Sequence, residues 1–495
     1  MDILPNIVHG FAICLQPINI WYTFIGVLMG TVIGVLPGIG PSAGIALLIP
    51  VTFGMNPTSA LIMMAGMFYG AQYGGSTTSV LINTPGESSS LMTCIDGYQM
   101  ARKGRAGAAL AISAWGSFIA GTIGVVAVML LSVPMVKIAL RFGPAEYFTL
   151  MLFSMTAVAS LSGESAAKGM LSLILGLMLS TVGIDLQSGQ SRYTMGITEL
   201  QDGVGFLQVM IGMLAVGEVF LCMEKHFKGT SVIIRIKGKL LVTREEWKRS
   251  VMPILRGTGI GFFVGMLPGV GATIATIISY TTEKRVSKHP EQFGQGAIEG
   301  VAGPEAANNA STAGGMVPLL ALGVPGGSTT AVLLGVLILY GIQPGPLLFK
   351  TNPDLVWGLI DSMYIGNVML LILNLPLIGI FVRMLYIPTG ILLPLIMIFA
   401  TIGMYAVSGY IFDLYMGVVL FGALGYLFNK LEIPAAPLIL AVVLGSMMEQ
   451  SFRQAMTISG GNPVVFVSSG IAVTLIVLTI ISIALPFVLS RIKRG

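Results

Sequence analysis

Charge is what this chain has least of. Asp, Glu, Lys and Arg make up 9% of its 495 residues, where soluble domains carry about 25%. Sparse charge over many long apolar stretches excludes a soluble protein and leaves a multi-pass membrane protein. Other absences narrow the chemistry. The three cysteines (Cys14, Cys94, Cys222) lie far apart, with no CxxC and no zinc spacing. Three histidines (His9, His226, His289) leave little material for a metal site. No GxxxxGK[ST] occurs, so the chain lacks that nucleotide-binding loop. An intramembrane serine hydrolase needs a His or Lys base beside its serine; no histidine falls in an expected span, and Lys168 has no nearby partner that stands out. The expectation is therefore no enzyme and no cofactor. The first Lys or Arg is Arg102, so Met1–Gly30 has no basic n-region of a cleaved signal peptide. The net charge of +5 comes largely from a few loops and reads as membrane topology, not nucleic-acid binding.

What is present is 55% hydrophobic, with mean hydropathy +0.89. The apolar segments predict an all-α polytopic fold of about 11–12 spans, each needing ~20 residues to cross a bilayer. Ordinary spans are expected near 57–75, 106–133, 145–162, 165–183, 204–222, 355–382, 386–403, 406–427, 433–448 and 464–490. Residues 1–18 fit either an interfacial segment or a short extra span. Residues 20–54 read instead as two apolar pieces of about 15 residues each, a re-entrant hairpin tipped by GVLPGIGP with Pro37, Gly38 and Gly40. The same tip recurs 231 residues later as GMLPGVGATIA, with Pro268, Gly269 and Gly271.

A polar stretch follows each hairpin. Tyr73–Leu91 reads YGGSTTSVLINTPGESSSL, and Gly296–Thr330 reads GAIEGVAGPEAANNASTAGGMVPLLALGVPGGSTT. Such composition predicts broken helices, which at membrane depth are tolerated only where they line a cavity or are buried in protein. Matched breaks in two halves point to a transport site. The candidate substrate ligands are Ser76, Thr77, Thr78, Asn83 and Thr84, facing Asn308, Asn309, Ser311, Thr312 and Ser328. Hydroxyls and amides donate to carboxylates and accept from water or cations. Asn83 and Asn309 are the first choices. Free carbonyls around the hairpin tips, or around Pro85, Gly86, Pro325, Gly326 and Gly327, suit Na⁺. No buried Arg or Lys is needed, since half-helix starts themselves favour anions. Glu305, two residues before Ala307-Asn308-Asn309, is the acid best placed for a cation or proton role. The less specific reading of these hydroxyls is glue between helices.

Basic residues orient the halves. Residues 225–250 hold eight of the 26 Lys and Arg residues, which places the segment in the cytoplasm. The loop after the first hairpin is uncharged, whereas EKRVSKHP (Glu283–Pro290) follows the second. The halves therefore read as inverted: 1–224 as the first repeat, 225–250 as a basic loop, 251–448 as the second repeat, and 449–495 as a helix ending in cytoplasmic RIKRG.

GVLPGIGP and YGGSTTSVLINTPGE, paired with EKRVSKHPEQFGQGAIEGVAGPEAANNA and VPLLALGVPGG, resemble the large membrane subunit of tripartite tricarboxylate transporters over nearly the whole chain. The resemblance implies a small membrane subunit and a periplasmic solute-binding protein as partners. It implies import of citrate or a related carboxylate across the bacterial inner membrane, driven by a Na⁺ or H⁺ gradient. It also implies an elevator-type fold. The alternative is a stand-alone ion-coupled antiporter or channel without a periplasmic partner.

Overall fold

A computed structural model describes residues 3–36, 40–161, 165–185, 187–226, 240–385, 387 and 389–492. The apolar runs become helices. In chain order these begin with α1 (Ile3–Cys14), α2 (Pro17–Val35), α3 (Pro41–Leu48), α4 (Pro57–Ile82), α5 (Leu91–Arg102) and α6 (Ala106–Ala139). Next come α7 (Pro144–Leu161), α8 (Ala166–Ser180) and α9 (Phe206–Met210), which continues through a π-helical turn into α10 (Gly217–His226). The second half holds α11 (Arg244–Gly265), α12 (Gly271–Val286), α13 (Glu299–Leu322), α14 (Ser328–Leu339), α15 (Leu348–Thr351) and α16 (Pro353–Asn374). It closes with α17 (Ile378–Met384), α18 (Thr389–Ser408), α19 (Ile411–Leu414), a second π-helical turn, α20 (Gly422–Lys430), α21 (Ala436–Ile458) and α22 (Gly470–Ile492). Among the described residues, six helical runs are long and apolar enough to cross a membrane: α2, α6, α9–α10, α16, most of α18 and α19–α20. The chain is an all-α multi-pass membrane protein.

Several boundaries differ from expectation. The first hairpin is lopsided: α2 has 19 residues and α3 has eight, extended by a 3-10 turn at Ile49–Thr52. Its tip residues Pro37 and Gly38 lie outside the described residues. The expected span 355–382 is interrupted after Asn374, before α17. The basic segment 225–250 is not all loop. Thr243 caps α11 by accepting the Glu246 N–H, while the Glu246 carboxylate accepts the Thr243 N–H at 2.9 Å, so residues 244–250 are helical.

The largest correction concerns the two polar stretches. Both are mostly unbroken helix. α4 runs through Ser76-Thr77-Thr78 and stops only at Asn83, and α13 runs through Asn308-Asn309 and stops at Gly323. Glycine and serine tolerate this because α4 and α13 are wrapped by neighbours, and packing rather than propensity decides helix formation. The breaks proper are short: 83–87 and 323–327.

Contacts divide the chain into two units that cut across its two halves. Unit 1 comprises Met1–Val136, Cys222–Leu267 and Gly271–Ile396, and unit 2 comprises Lys137–Leu221, Pro268–Val270 and Met397–Gly495. Each half thus supplies part of both.

Within unit 1, glycine sets the packing. A methyl group at Gly26, Gly30 or Gly34 of α2 would strike the carbonyl oxygen of Met63, Met67 or Ala71 on α4. At Gly257, Gly261 or Gly265 of α11 it would strike that of Gly303, Ala307 or Ser311 on α13. The second set repeats the first at 231 residues along the donor helix and 240 along the acceptor. Backbones this close are what small residues give helices in lipid.

In unit 2, α7, α8, α21 and α22 pack together around a cluster of Phe148, Phe452 and Phe466, with ring centroids 4.9–5.3 Å apart. The two π-helical turns also meet there, with Gly212 lying against Gly417 and Phe421.

Candidate functional site

The two breaks share one backbone design. Asn83 ends α4 in the left-handed region (φ 53°), and Gly323, 240 residues on, ends α13 the same way (φ 72°). Pro85-Gly86 and Pro325-Gly326 follow. A side chain at Gly86 would meet the Gly34 carbonyl, and one at Gly326 the Gly265 carbonyl. The Glu87 N–H donates to Ser90 Oγ (3.4 Å), and the Gly327 N–H to Thr330 Oγ1 (2.9 Å).

The halves also touch reciprocally. Ser42 on α3 meets Thr329 Oγ1 at 2.9 Å and Ser328 Oγ at 3.3 Å, beside the second break. Thr273 on α12 meets Ser88 Oγ at 2.9 Å, beside the first. Ser42 and Thr273 are 231 residues apart, and Ser88 and Ser328 are 240 apart. Contact of i with j′ and of i′ with j is the mark of a two-fold relation.

Two carboxylates of unit 1 each accept from a side chain of the other half. Glu87, partly exposed at the first break, accepts from Ser89 Oγ at 2.5 Å and from Asn308 Nδ2 of the other half at 3.1 Å. The Gln72 amide lies beside it. With its NH₂ toward the carboxylate, Gln72 donates to Glu87 Oε2 at 2.7 Å and accepts from Thr312 Oγ1 at 3.2 Å. The opposite orientation would set a carbonyl against a carboxylate, so the donor orientation is adopted.

Glu305 is wholly buried. Its Oε2 accepts from Ser76 Oγ at 2.6 Å and more loosely from Ser117 Oγ at 3.5 Å, its Oε1 accepts from Thr93, and Ser113 lies alongside. Asn309 donates to Ser117 Oγ at 2.6 Å and to the Glu305 carbonyl at 3.2 Å. Its Oδ1, also buried, has no partner. Among the described residues, no ion pair reaches Glu87 or Glu305.

The structure thus sorts the residues singled out in the sequence. Asn308 and Thr312 join Gln72 and Glu87, whereas Ser76 and Asn309 join Glu305. Thr78 and Ser311 turn to backbone carbonyls of their own helices, Gly75 and Asn308, at 2.9 and 2.8 Å. Thr84 bonds the Ile82 carbonyl at 3.3 Å. Thr77 is buried and lines a small void. Asn83 is exposed and forms the left-handed cap of α4. Gly269 and Gly271 both have positive φ, and Gly269 lies against Ala157 and Val158 in unit 2. The sequence reading missed Gln72, Ser89, Thr93, Ser113, Ser117, Ser42 and Thr273. Ser113 and Ser117 did leave a signal: two serines at i, i+4 share one face of an otherwise apolar span. Among the described residues, no three His, Cys, Asp or Glu side chains gather as a metal site would require.

Unit 2 holds a larger cavity of about 510 Å³, lined in part by Asp185, Arg192, Glu449 and Arg453. Its arginines are already spent. Arg192 donates to both Glu449 oxygens at 2.8 and 3.3 Å, and Arg453 donates to Asp185 Oδ2 at 2.7 Å. Arg453, with the backbone N–H groups of Ser188 and Gln187, holds the Asp185 carboxyl well below the usual carboxylate range. With Asp202 also in the lining, two cations against three anions leave no surplus positive charge to draw an organic anion.

Residues 20–440 match the tripartite tricarboxylate transporter TctA family. The chain belongs to this family. It is a transporter protein and not an enzyme. It is similar along its whole length to an uncharacterized 52.8 kDa protein in the TAR-I ttuC′ 3′ region of Agrobacterium vitis, at 46% identity over 495 residues, covering 100% of this chain and 98% of the relative. It is also similar to an uncharacterized protein in the TAR-II ttuC′ 3′ region of the same organism, at 47% identity over 235 residues, or 47% of this chain and 97% of the relative. No solved structure matches.

Proposed function

We propose that this family member is the large membrane subunit of a secondary carboxylate importer of the bacterial inner membrane. It works with a small membrane subunit and a periplasmic solute-binding protein, and its C-terminus lies in the cytoplasm. The substrate is a tricarboxylate or a related carboxylate, and the driving force is a cation gradient. The observation that carries this reading is the pair of reciprocal breaks, each contacted by the hairpin limb of the other half. A two-fold relation of this kind supports inverted repeats and alternating access. Elevator-type movement is then carried by the unit that contains both breaks.

Substrate binds at the breaks, where hydroxyls of the two halves meet in two sets, Ser42 with Ser328 and Thr329, and Thr273 with Ser88. Hydroxyls suit carboxylate oxygens without fixing a permanent charge. Asn308 and Gln72 hold Glu87 and keep the first break in shape.

The test is uptake of labelled carboxylates into proteoliposomes containing both membrane subunits, with and without the binding protein. Uptake that requires the binding protein is expected, and Ser42→Ala/Thr273→Ala should abolish it at unchanged stability. Robust transport without the binding protein would favour the stand-alone carrier. Full uptake by the double variant would remove the breaks from the substrate path.

A further inference from the structure

We propose that the coupling cation is a proton and that Glu305 carries it, reached through the hydroxyls of Ser76 and Ser113. The inference rests on the transport reading above and names its driving ion.

Burial is the first argument. An ionised carboxylate at membrane depth is costly unless paired. One buried carboxylate of the same unit is matched by a cation: Glu283, only 1% exposed, is gripped by Arg256 through two bonds of 2.8 and 2.5 Å. Glu305, at 0% exposure, has no such partner among the described residues.

The second argument is what surrounds it. Among the described residues, the side chains that bond Glu305 are hydroxyls, those of Ser76, Thr93 and Ser117, and the Ser113 hydroxyl lies alongside. A hydroxyl rotates to donate to a carboxylate or to accept from a carboxylic acid. The shell therefore satisfies both protonation states without moving a backbone, which an Arg or Lys contact would not. The third argument is access. A void of about 10 Å³, the size of a single water, is lined by Ser76, Ser113, Tyr73, Thr77 and Asn374. Ser76 of α4, which donates to Glu305, and Ser113 of α6, which lies alongside it, both face the void. The unpartnered Asn309 Oδ1, on the amide that grips Ser117, offers one more acceptor beside the shell.

The step is a proton relay. A hydronium in the void gives a proton to Ser76 Oγ as the Ser76 O–H bond breaks toward Glu305 Oε2. A carboxylic acid forms, and the hydronium is left as water. Release is the reverse. Asn308 and Asn309, adjacent on α13, connect this shell to Glu87 at the break, so the proton's presence is felt where substrate binds.

Other ionisable groups near Glu305 are few. Tyr73 on α4, Cys94 on α5 and Glu87 at the break sense its charge. α6 presents only serines. From α12, Glu283 meets α13 at Gly303, already paired with Arg256. Near the start of α13, Asp96 accepts from Tyr280 and three backbone N–H groups, and Arg249 pairs with Glu299.

The experiment uses the complete transporter in Na⁺-free proteoliposomes. Two readouts are taken: accumulation driven by an acid-outside pH gradient, and exchange of labelled against unlabelled carboxylate without any gradient. Wild type should do both. Glu305→Gln should lose accumulation and still exchange. If wild type transports no carboxylate under any gradient, the transport reading falls. If wild type accumulates substrate only with Na⁺, or Glu305→Gln still accumulates under the pH gradient, the proton assignment falls and the transport reading stands. Should Glu305→Gln fail to fold, Ser76→Ala decides on the same readouts. Slower proton-driven accumulation with unchanged exchange supports the relay, and equal loss of both overturns it.

Discussion

The two halves of unit 1 share a backbone and differ in their chemistry. Each has a glycine-lined helix pair, a left-handed cap, a Pro-Gly break and a hydroxyl that bonds the backbone three residues before it. Yet Glu87 stands where the second half has Gly327, and Asn83 where it has Gly323. At the places of Glu305 and Asn308 the first half carries Ala65 and Phe68. The glycines that shape the breaks recur at matched positions, and a side chain at any of those that line the helix pairs or follow the prolines would strike a neighbouring backbone. The acids do not recur: Glu87 of the first half is held by Ser89 and by Asn308 of the second, whereas the Glu305 carboxylate of the second half is held by hydroxyls of the first. A site built this way is lopsided inside a symmetric frame.

The largest effect should come where the halves differ in charge pairing. Arg256 and Glu283 have Ile25 and Thr52 as first-half counterparts, so no second copy compensates for their loss. Arg256→Ala leaves Glu283 buried and unpaired. Removing one partner of a buried pair costs about 3–5 kcal/mol, and the partial exposure of Arg256 puts this variant near the low end. Thermal unfolding in detergent should show a clear drop. Arg256→Met combined with Glu283→Gln should recover most of it, since no charge is then left unpaired. A silent Arg256→Ala would mean that Glu283 does not need its cation, and the contrast between Glu283 and Glu305 would fail.

A smaller effect probes the shared frame directly. Gly30→Ala and Gly261→Ala place a methyl group against the Met67 and Ala307 carbonyls, at matched positions. Overpacking of this kind costs about 1–3 kcal/mol. Comparable losses in melting temperature are expected from both. A large loss from one and none from the other would show that the two helix pairs are not packed alike, and the two-fold description would fail with it.

How far the sequence revealed this can be judged residue by residue. The Pro-Gly tips and their 231-residue recurrence were visible because glycine and proline act locally, through backbone angles and missing donors. The family was legible for the same reason, in runs such as GVLPGIGP. The extent of the breaks was not. Ser76-Thr77-Thr78 and Asn308-Asn309 look like helix breakers, and they are helical because neighbouring helices bury them. Composition cannot report what a neighbour supplies. The shell around Glu305 was hidden more deeply. Thr93, Ser113 and Ser117 come from α5 and α6, outside both polar stretches, and only tertiary packing brings them to the carboxylate. Gln72 was overlooked for a related reason. It is a lone amide on an apolar helix, with partners at Glu87 and Thr312 that sequence distance conceals.

The smallest effect tests the one residue whose sequence reading and structural role point in different directions. Asn83 reads as a substrate ligand, but it is exposed and holds the left-handed position that Gly323 holds in the other half. Glycine takes that conformation freely, so Asn83→Gly makes the halves more alike and should change stability by only a few tenths of a kcal/mol. Alanine does not, and Asn83→Ala should cost about 1 kcal/mol. If the cap is the whole of its function, uptake follows the same order: unchanged for glycine and modestly reduced for alanine. If instead the amide touches substrate, both variants lose uptake alike, because both remove it, and their ranking by stability no longer predicts their ranking by transport. Measuring melting temperature and initial uptake rate on the same two proteins separates the cases. A glycine variant with full stability and no transport would return Asn83 to the substrate site.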